Sequence, residues 1–402
     1  MPLRSAQRAN ETTTGASYLE RARTLGPELA AAAAMIEQRR ELPEPVVAAL
    51  IEAGFFRLLL PRSLGGAELP PVEYVPVIEE IARHDASVAW CLGQACGCSM
   101  TAAYLKPEIA SEIFGGPRGI VAWGPPGAGE ARAVPGGYRL TGSWGFASGS
   151  HHASWLGAHV AVSEADGAPR LRPDGSPVLR TLLFPKSRVR MTDTWRVVGL
   201  RGTGSDTYTV DDLFVPEEYT VERSAEARPR EPGLLYAFSS SNVYSAGFAG
   251  VALGVARAVL DAFIELARDK IPRGARRTLR DDNVVQSQVA QAEARVGAAR
   301  AYLLRALGDI GREAEQNNRR LTPAHHTLIR LASTWAIHQA KDAVDLLYHA
   351  AGATAIFEQN PFERRFRDIH TVIQQYQGRQ AHFETVGQIL LGLGPESAMF
   401  TF

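Results

Sequence analysis

Apolar and polar residues alternate between residues 137 and 146, and this period of two predicts a half-buried β-strand. The face predicted to be buried carries Tyr138, Leu140, Trp144 and Phe146. The preceding Pro-Gly-Gly at 135–137 predicts a hairpin turn. Small residues follow at 148–150, and they would let backbone and hydroxyl groups approach a flat ligand closely. An ordinary β-turn carrying His151 and His152 on the surface is the alternative.

Helical spacing of apolar residues dominates both ends of the chain. It predicts helices over 18–39 and 45–53, and one long helix that begins near Pro71 and continues through Trp90. After residue 234, four long amphipathic segments predict a four-helix bundle, with bounds 234–268, 283–317, 324–352 and 367–391. Strand patterns fill 120–215. The order helices, strands, helices predicts an α+β fold.

Composition excludes several functional classes. The 402 residues include 43 basic and 43 acidic side chains, a balance that does not support binding to nucleic acid or to an anionic membrane. Three clustered cysteines, Cys91, Cys96 and Cys98, predict reduced thiols in the cytoplasm and lack partners for a metal site. We expect no signal peptide, and no stretch apolar and long enough to span a bilayer.

Three motifs between 136 and 155 carry a family resemblance: a Gly-Gly-Tyr hairpin, Trp-x-Phe-x-Ser-Gly, and His-Ala-x-Trp. Together they resemble the middle β-domain of the acyl-CoA dehydrogenase superfamily, and are most similar to its flavin-dependent monooxygenase branch. The resemblance extends over about residues 18–395. It implies an N-terminal helical domain (18–118), a middle β-barrel or sandwich domain (119–232) and a C-terminal four-helix bundle (233–402), assembled as a homotetramer. The residues before it, rich in Thr, Arg and Asn, predict a disordered leader (1–17).

The resemblance also implies an activity. Monooxygenases of this branch receive reduced FAD or FMN from a separate flavin reductase and react it with O2. The C4a-hydroperoxide that forms then hydroxylates a small organic substrate, for which an aromatic ring is expected here. Two alternatives stay open: an acyl-CoA dehydrogenase or oxidase with a non-standard base, and a non-catalytic flavin-binding or scaffold protein.

Site residues follow from the resemblance position by position. Cofactor contacts are expected from Trp123, Gly124, Phe146, Ser148, Arg201, Ser205, Lys270 and Arg273. The hydroxyl of Ser148 is expected near the flavin N5 edge, as a hydrogen-bond donor. A substrate pocket is expected from Trp90, Cys98, Tyr376 and Gln377. The catalytic candidates are Ser148, His152, His370, Cys98 and Gln375, and no metal is expected.

The chain departs from its relatives at key positions. Gln377 stands where acyl-CoA dehydrogenases resembling it carry a glutamate base, and an amide cannot take up a proton at neutral pH. Phenol hydroxylases of the branch carry histidines where this chain has Cys98 and Gln374 or Gln375. The substrate is therefore expected to differ from a simple phenol, or His152 or His370 replaces the missing histidine.

Overall fold

The N-terminal part of the molecule is helical, as predicted. The computed structural model describes residues 14–224 and 227–393, so residues 1–13 of the predicted leader lie outside the described residues. The first helix begins at Gly15, earlier than the leader's predicted end at residue 17. The helices are α1 (Gly15–Arg39), α2 (Glu44–Glu52), α3 (Pro71–His84), α4 (Ala86–Ser99) and α5 (Pro107–Phe114).

The single long helix predicted from Pro71 through Trp90 is wrong, because the chain breaks between α3 and α4 at Asp85. This residue has an extended backbone (φ −151°, ψ 122°), and its carboxylate accepts a hydrogen bond from the main-chain N–H of Val88 at 3.0 Å. Such a bond satisfies one of the free N–H groups at a helix start. The cap turns α4 to a new direction, and α4 carries Trp90 and Cys98.

The middle of the chain forms one eight-stranded sheet. Its strands are β1 (Val121–Ala122), β2 (Ala128–Val134), β3 (Gly137–Trp144), β4 (Trp155–Ser163), β5 (Leu179–Pro185), β6 (Arg190–Thr192), β7 (Thr207–Pro216) and β8 (Thr220–Glu222). Their order is β6-β7-β3-β2-β4-β5-β8, with β1 beside β4. The rings of Phe184 (β5) and Tyr208 (β7) meet at 6.3 Å although these strands are not neighbours, so the sheet curls around one interior.

The hairpin and the alternation that predicted β3 are confirmed, with one exception. Strands β2 and β3 pair antiparallel around Gly136, and Tyr138, Leu140 and Trp144 are buried. Phe146, predicted on the same buried face, is instead 66% exposed. The strand ends at Trp144, and Phe146 adopts a left-handed backbone (φ 58°) that a bulky side chain rarely occupies.

The C-terminal part has three long helices where four were predicted. The helices are α6 (Ser240–Asp269), α7 (Asn283–Gln316), α8 (Pro323–Ala351), α9 (Glu363–Val372) and α10 (Ala381–Leu390). The fourth predicted helix is wrong because a 3₁₀ turn at Tyr376–Gly378 separates α9 from α10. The side chain of Gln375 causes the break by accepting a hydrogen bond from the N–H of Gln377 at 2.8 Å.

Helix α6 passes through the centre of the molecule. By length and composition, α6 could cross a membrane, so the expectation that the chain has no such stretch was wrong. However, 72% of the most apolar window of α6 is buried inside the protein. It packs against α3, α4 and α8. A Cβ atom at Gly254 would lie 2.2 Å from the carbonyl oxygen of Glu79, so glycine is required where α6 crosses α3. Burial of this kind is that of a core helix.

Candidate active site

A chain of hydrogen-bonded hydroxyl groups joins α4 to two loops of the sheet. The indole Nε1 of Trp90 donates to Ser148 Oγ at 3.1 Å, and Ser148 Oγ lies 2.7 Å from Ser205 Oγ. Ser205 Oγ lies 2.7 Å from Thr203 Oγ1, which donates to the carbonyl oxygen of Leu200 at 2.8 Å. This hydroxyl chain (Ser148, Ser205 and Thr203) brings together three predicted site residues, Trp90, Ser148 and Ser205. It also includes Thr203, which the sequence analysis missed although it lies between two expected cofactor contacts, Arg201 and Ser205.

The two ends of the hydroxyl chain fix the direction of its protons. An indole N–H can only donate a hydrogen bond, and a carbonyl oxygen can only accept one. The hydroxyl of Thr203 therefore uses its single proton in the hydrogen bond to the carbonyl oxygen of Leu200. Ser205 must then donate to Thr203, and Ser148 to Ser205. Ser148 thus presents a lone pair, not a proton, to any ligand beside it. A donor role for Ser148, as expected from the sequence, requires this chain to reverse.

Glycines allow the two loops to approach each other. The N–H of Gly149 donates to the carbonyl oxygen of Thr203 at 2.9 Å, with Gly149 in the left-handed region (φ 78°). Gly204 is also left-handed (φ 50°), and a Cβ atom there would lie 2.7 Å from the ring of His151. Any larger residue would separate the loops. The hydroxyl chain therefore depends on both glycines.

An exposed aromatic ring lies beside the hydroxyl chain. Phe146 precedes Ser148 by two residues, and its ring meets Trp195 edge-on at 5.8 Å. Trp195 is itself held by a 3.0 Å hydrogen bond from its indole N–H to the carbonyl oxygen of Leu200. A strained backbone that exposes a large apolar ring is unfavourable without a partner. The arrangement provides a flat apolar face next to a polar edge.

Stacked rings of α4 and α6 form an aromatic wall at the Trp90 end of the hydroxyl chain. Trp90 stacks on Phe248 of α6, with centroids 3.9 Å apart and planes 14° apart. Phe248 stacks in turn on Tyr244 at 5.7 Å. Such pairs contribute more than their buried area alone. The wall excludes water from one side of the hydroxyl chain.

Gln94 joins Cys98 and Trp123. Residues 90, 94 and 98 follow one face of α4 at four-residue spacing, which is the sequence signal that could have identified Gln94. Its Nε2 lies 3.1 Å from the carbonyl oxygen of Trp123, 3.3 Å from Tyr244 Oη and 3.5 Å from Cys98 Sγ. Burial raises the pKa of Cys98 to about 12, so its thiol stays protonated at neutral pH.

The neighbouring histidines of the loop differ in environment. His151 lies between two carboxylates, 2.7 Å from Glu41 and 2.7 Å from Asp206. His152 is half-buried against Phe56, and both of its ring nitrogens are buried without a hydrogen-bond partner among the described residues. Burial, reinforced by the charges of Lys186 and His151, lowers the pKa of His152 to about 3. At neutral pH His152 is uncharged and a weak base.

His370 makes its contacts away from the hydroxyl chain. Its Nε2 lies 2.8 Å from Asp345 on α8, and the same carboxylate is 2.7 Å from Lys341. The ring also lies 4.4 Å from that of Phe366. The structure therefore does not bring His370 together with Ser148 or Trp90.

Arg367 and Asp368 of α9 hold the main chain of the loop at 198–200, directly before Arg201. Asp368 is buried and accepts a hydrogen bond from the N–H of Leu200 at 2.6 Å; burial raises its pKa to about 7. Arg367 bonds Glu37 at 2.6 Å and the carbonyl oxygen of Val198 at 2.5 Å. Leu200 also ends the hydroxyl chain, so the pair positions it from the C-terminal side.

Gln377 and Tyr376 surround a buried cation. Arg330 donates hydrogen bonds to Gln377 Oε1 and, at 2.9 Å, to Ser241 Oγ. Its guanidinium lies 5.8 Å from the ring centroid of Tyr376, and burial lowers its pKa to about 10. The side chain of Gln375 caps the N–H of Gln377. At the position where related dehydrogenases carry their glutamate base, this chain thus has the amide of Gln377, which is hydrogen-bonded to Arg330.

Two predicted phosphate contacts lie apart from the hydroxyl chain. Lys270 donates to the carbonyl oxygen of Ala351 and, at 2.6 Å, to Thr354 Oγ1, so it caps the end of α8. Arg273 is exposed on the loop after α6. The ammonium of Lys270 is already occupied by protein oxygens, whereas the side chain of Arg273 faces solvent.

Arg201 and Gly124 lie close to the two loops. Arg201 Nε donates to the carbonyl oxygen of Val197 at 2.8 Å, and its side chain is 45% exposed beside Glu37. A Cβ atom at Gly124 would lie 1.9 Å from the carbonyl oxygen of Gly145. Glycine is therefore required where the chain after β1 meets the end of β3.

Two family models match this chain. The acyl-CoA dehydrogenase N-terminal domain matches residues 20–112, and the acyl-CoA dehydrogenase C-terminal domain matches residues 246–380. These segments correspond to the two helical parts described above. The fold predicted from the resemblance is confirmed.

Relatives with known names are similar over nearly the whole chain. The flavin-dependent monooxygenase oxygenase subunit HsaA of Rhodococcus jostii is 30% identical over 368 residues, covering 88% of this chain and 92% of that protein. Indole-3-acetate monooxygenase of Pseudomonas putida is 29% identical, covering 89% and 90%. The structure of XiaF from a Streptomyces species, in complex with FADH2 and glycerol, superposes with a TM-score of 0.87 at 27% identity, covering 95% and 97%. The chain therefore belongs to the flavin-dependent monooxygenases built on the acyl-CoA dehydrogenase fold.

Proposed function

We propose that this protein is the oxygenase component of a two-component system that hydroxylates a small aromatic compound. It would use O2 together with reduced FAD or FMN supplied by a separate flavin reductase. The observation that carries the proposal is the hydroxyl chain, which bonds Trp90 of the aromatic wall and begins two residues after the exposed Phe146. The HsaA protein of Rhodococcus jostii, which is 30% identical to this chain, is named as the oxygenase subunit of a flavin-dependent monooxygenase.

The residues present fit an isoalloxazine ring. A flavin has a flat apolar face and an edge of alternating nitrogen and carbonyl groups. Phe146 offers a flat exposed surface, and Ser148, two residues later, offers a hydroxyl at its edge. The close backbone contact at Gly124 leaves no room for a side chain where the segment after β1 meets the end of β3. We assign Phe146, Ser148 and the main chain at Trp123 to holding the ring.

The bound cofactor supplies two electrons to O2, so that one oxygen atom enters the substrate and the other leaves as water. The protein's own residues then have three tasks. Trp90 and Phe248 exclude water, which strengthens every polar interaction inside the site. Ser148 offers a lone pair that orients the bound ligand, and the hydroxyl chain fixes the direction of that lone pair. Gln94 holds Cys98 and Trp123 in place around the substrate.

Two of the catalytic candidates, His152 and Cys98, are not efficient proton acceptors at neutral pH. His152 has a pKa of about 3, and the thiol of Cys98 is protonated with a pKa of about 12. A general base works best with a pKa near the operating pH. We therefore propose a substrate ring that is electron-rich without deprotonation by the protein.

The C-terminal cluster argues against acyl-CoA dehydrogenation. That reaction needs a carboxylate to remove a proton from the acyl chain, and Gln377 provides a neutral amide already bonded to Arg330. The remaining candidates nearby, Gln375 and Tyr376, carry no carboxylate either. The acyl-CoA reaction is therefore not our proposal.

We also propose a cytoplasmic homotetramer. Large apolar side chains on and after the C-terminal helices are exposed, which favours a buried subunit interface. They are Trp335 (43%), Ile356 (62%), Phe357 (50%), Leu390 (74%) and Leu391 (79%). The three cysteines are free and buried, as expected in a reducing compartment. Sedimentation at micromolar concentration tests the assembly, and a stable monomer would contradict it.

The activity is tested with chemically reduced FMN and FAD, ¹⁸O2 and a panel of phenols, indoles and aromatic acids. We expect one ¹⁸O atom in the product of at least one substrate, detected by mass spectrometry, and none without reduced flavin. In a parallel sample, acyl-CoA thioesters and an electron-accepting dye should give no dye reduction. Dye reduction without any oxygenated product would overturn the proposal in favour of a dehydrogenase.

A further inference from the structure

A partly buried arginine lies against a histidine ring beside the pocket. Arg223 directly follows β8, and its Nη1 lies 3.2 Å from Nδ1 and 3.3 Å from Nε2 of His159 on β4. Burial lowers the pKa of Arg223, as it does for any cation removed from water. Burial also lowers the pKa of His159 well below its ordinary value, with Arg223 adding to the effect. The imidazole is therefore neutral and the arginine carries the only charge of the pair.

The charge of Arg223 is not compensated by the part of the chain that the structure describes. There, no carboxylate lies within ion-pair distance, and the ring of His159 is its only side-chain hydrogen-bonding partner. A neutral imidazole has one lone pair and can accept one of the five guanidinium N–H groups. Removing an unpaired charge from water is costly. Most of the hydrogen-bonding capacity of Arg223 is thus left for another molecule.

Arg57 shows how this protein satisfies an arginine that has only a structural role. It is also partly buried, and burial lowers its pKa as well. Its guanidinium nevertheless donates to four main-chain carbonyl oxygens, those of Leu64, Gly65, Phe114 and Gly116. No comparable set of acceptors surrounds Arg223 among the described residues. Main-chain oxygens thus satisfy the guanidinium of Arg57, whereas the described residues leave most N–H groups of Arg223 without an acceptor.

Arg223 is connected to the substrate pocket by direct contacts. The ring of His159 meets that of Trp123 edge-on at 4.8 Å, and the carbonyl oxygen of Trp123 accepts from Gln94, which also reaches Cys98. Burial raises the pKa of Cys98 to about 12, so this part of the pocket is uncharged. Arg223 is thus a cation at the end of a run of contacting side chains, His159, Trp123, Gln94 and Cys98, that carry no charge.

We propose that Arg223 is the anion-binding end of the substrate site and that the substrate is an aromatic compound bearing a carboxylate. Arg223 would bind the carboxylate through its free N–H groups, and His159 would hold the guanidinium in position. The aromatic ring would extend past Trp123 toward Cys98 and Ser148. This inference rests on the proposed function and names its substrate class.

The first test compares two probes that differ only in charge. 4-Hydroxyphenylacetate and its neutral amide, 4-hydroxyphenylacetamide, have the same ring and nearly the same shape. Isothermal titration of the protein with bound reduced flavin should show the acid binding roughly 10- to 100-fold more tightly, as expected for hydrogen bonds to a charged group. Equal binding of the two probes would overturn the proposal.

Variants locate the effect. Arg223→Gln should reduce the preference for the acid to near unity, whereas Arg223→Lys, which keeps the charge, should retain part of it. The same substitution at exposed Arg188 is the matched control and should leave the preference unchanged. An acid preference that persists in Arg223→Gln would place the anion site elsewhere.

Thermal unfolding separates ligand binding from a structural role. Removing an uncompensated buried charge should leave the melting temperature of the free protein unchanged or raise it, whereas losing a structural arginine lowers it. A lowered melting temperature in Arg223→Gln would contradict the proposal even if binding is lost. If reduced flavin does not bind to the wild type at all, the proposed function fails. If flavin binds and the probes bind equally, only this inference fails.

Discussion

The two sides of the candidate site stabilise their polar groups by opposite means. On the sheet side, Trp90, Ser148, Ser205 and Thr203 satisfy one another in a directed chain without any charge. On the C-terminal side, Gln377 and Tyr376 surround the charged Arg330. A neutral hydroxyl chain can position a ligand at little cost in desolvation, whereas an arginine beside an amide cannot remove a proton. The comparison indicates that the sheet side carries the chemistry and the C-terminal side supports it.

The largest effect should follow from removing Ser148. In Ser148→Ala, the ligand loses its oriented hydroxyl, and product formed per reduced flavin should fall about 100-fold, comparable to the loss of one polar group at other reacting centres. The indole N–H of Trp90 also loses its acceptor, which should destabilise the fold by about 1–3 kcal/mol. Product is measured by mass spectrometry after a single turnover.

Ser150→Ala is the matched control for this variant. Ser150 is buried two residues away, and its hydroxyl bonds the carbonyl oxygen of Gly204 at 3.3 Å, outside the hydroxyl chain. Its yield should stay within about twofold of the wild type, since a surplus main-chain bond is worth little. Similar yields from Ser148→Ala and the wild type would remove Ser148 from the site.

A smaller effect should follow at the second position of the hydroxyl chain. In Ser205→Ala, Ser148 loses its acceptor, so its proton becomes free to point toward the ligand. Reduced flavin carries an N–H at N5, where oxidised flavin has a lone pair. The preference for reduced over oxidised flavin should therefore fall about 10-fold, as expected for one reversed hydrogen bond.

Anaerobic titrations with reduced and oxidised FMN measure this ratio without any turnover. Thr203→Val should change the ratio in the same direction, because it removes the group to which Ser205 donates. If both variants keep the wild-type ratio, the proton direction in the hydroxyl chain does not set the redox preference.

Sequence periodicity could predict the regular parts of this fold and not its interruptions. The alternation of β3 and the long helices follow from which residues are apolar. The break at Asp85 and the turn after Gln375 each depend on a side chain that accepts a hydrogen bond from a nearby main-chain N–H. The spacing of apolar residues gives no information about such a bond. Phe146 was misplaced because alternation continues in the sequence after the strand has ended.

The site was partly predictable for a related reason. Motif resemblance identified Ser148 and Ser205, which are distant in sequence and 2.7 Å apart in space. It could not give the direction of their protons, which depends on Thr203 bonding Leu200. Burial of the ring nitrogens of His152 was also hidden, because His152 lies in a stretch of mostly polar and small residues, 148–154, without apolar periodicity. No motif indicated Arg223, whose importance lies in the partners that it lacks among the described residues.

A pH-dependent effect should distinguish His152 from surface histidines. Its pKa is about 3 in the folded protein and about 6.5 when unfolded, so the unfolded state takes up a proton first as the pH falls. Its contribution to stability is complete above pH 6.5 and is lost as the pH falls toward 3. Between pH 6.5 and 5.5 this loss should amount to about 1 kcal/mol.

His152→Phe should remove this part of the pH dependence, and the ring would pack against Phe56. His349→Phe, at an exposed position, is the control and should keep the wild-type slope. Denaturant unfolding at a series of pH values measures the difference. An unchanged slope in His152→Phe would mean that His152 is protonated or hydrated in the folded state.

The smallest effect is expected where the C-terminal side is given a base. Gln377→Glu places a carboxylate beside Arg330, which would keep it ionised and able to accept a proton. A buried ion pair roughly balances its own desolvation, so the melting temperature should change little. No dye reduction should appear with acyl-CoA thioesters, because the hydroxyl chain and aromatic wall on the sheet side would be unaltered. Gln374→Glu, at an exposed neighbouring position, is the matched control and should behave identically. If Gln377→Glu alone gains acyl-CoA oxidation, a single amide separates this protein from a dehydrogenase, and the C-terminal side rather than the sheet side decides its chemistry.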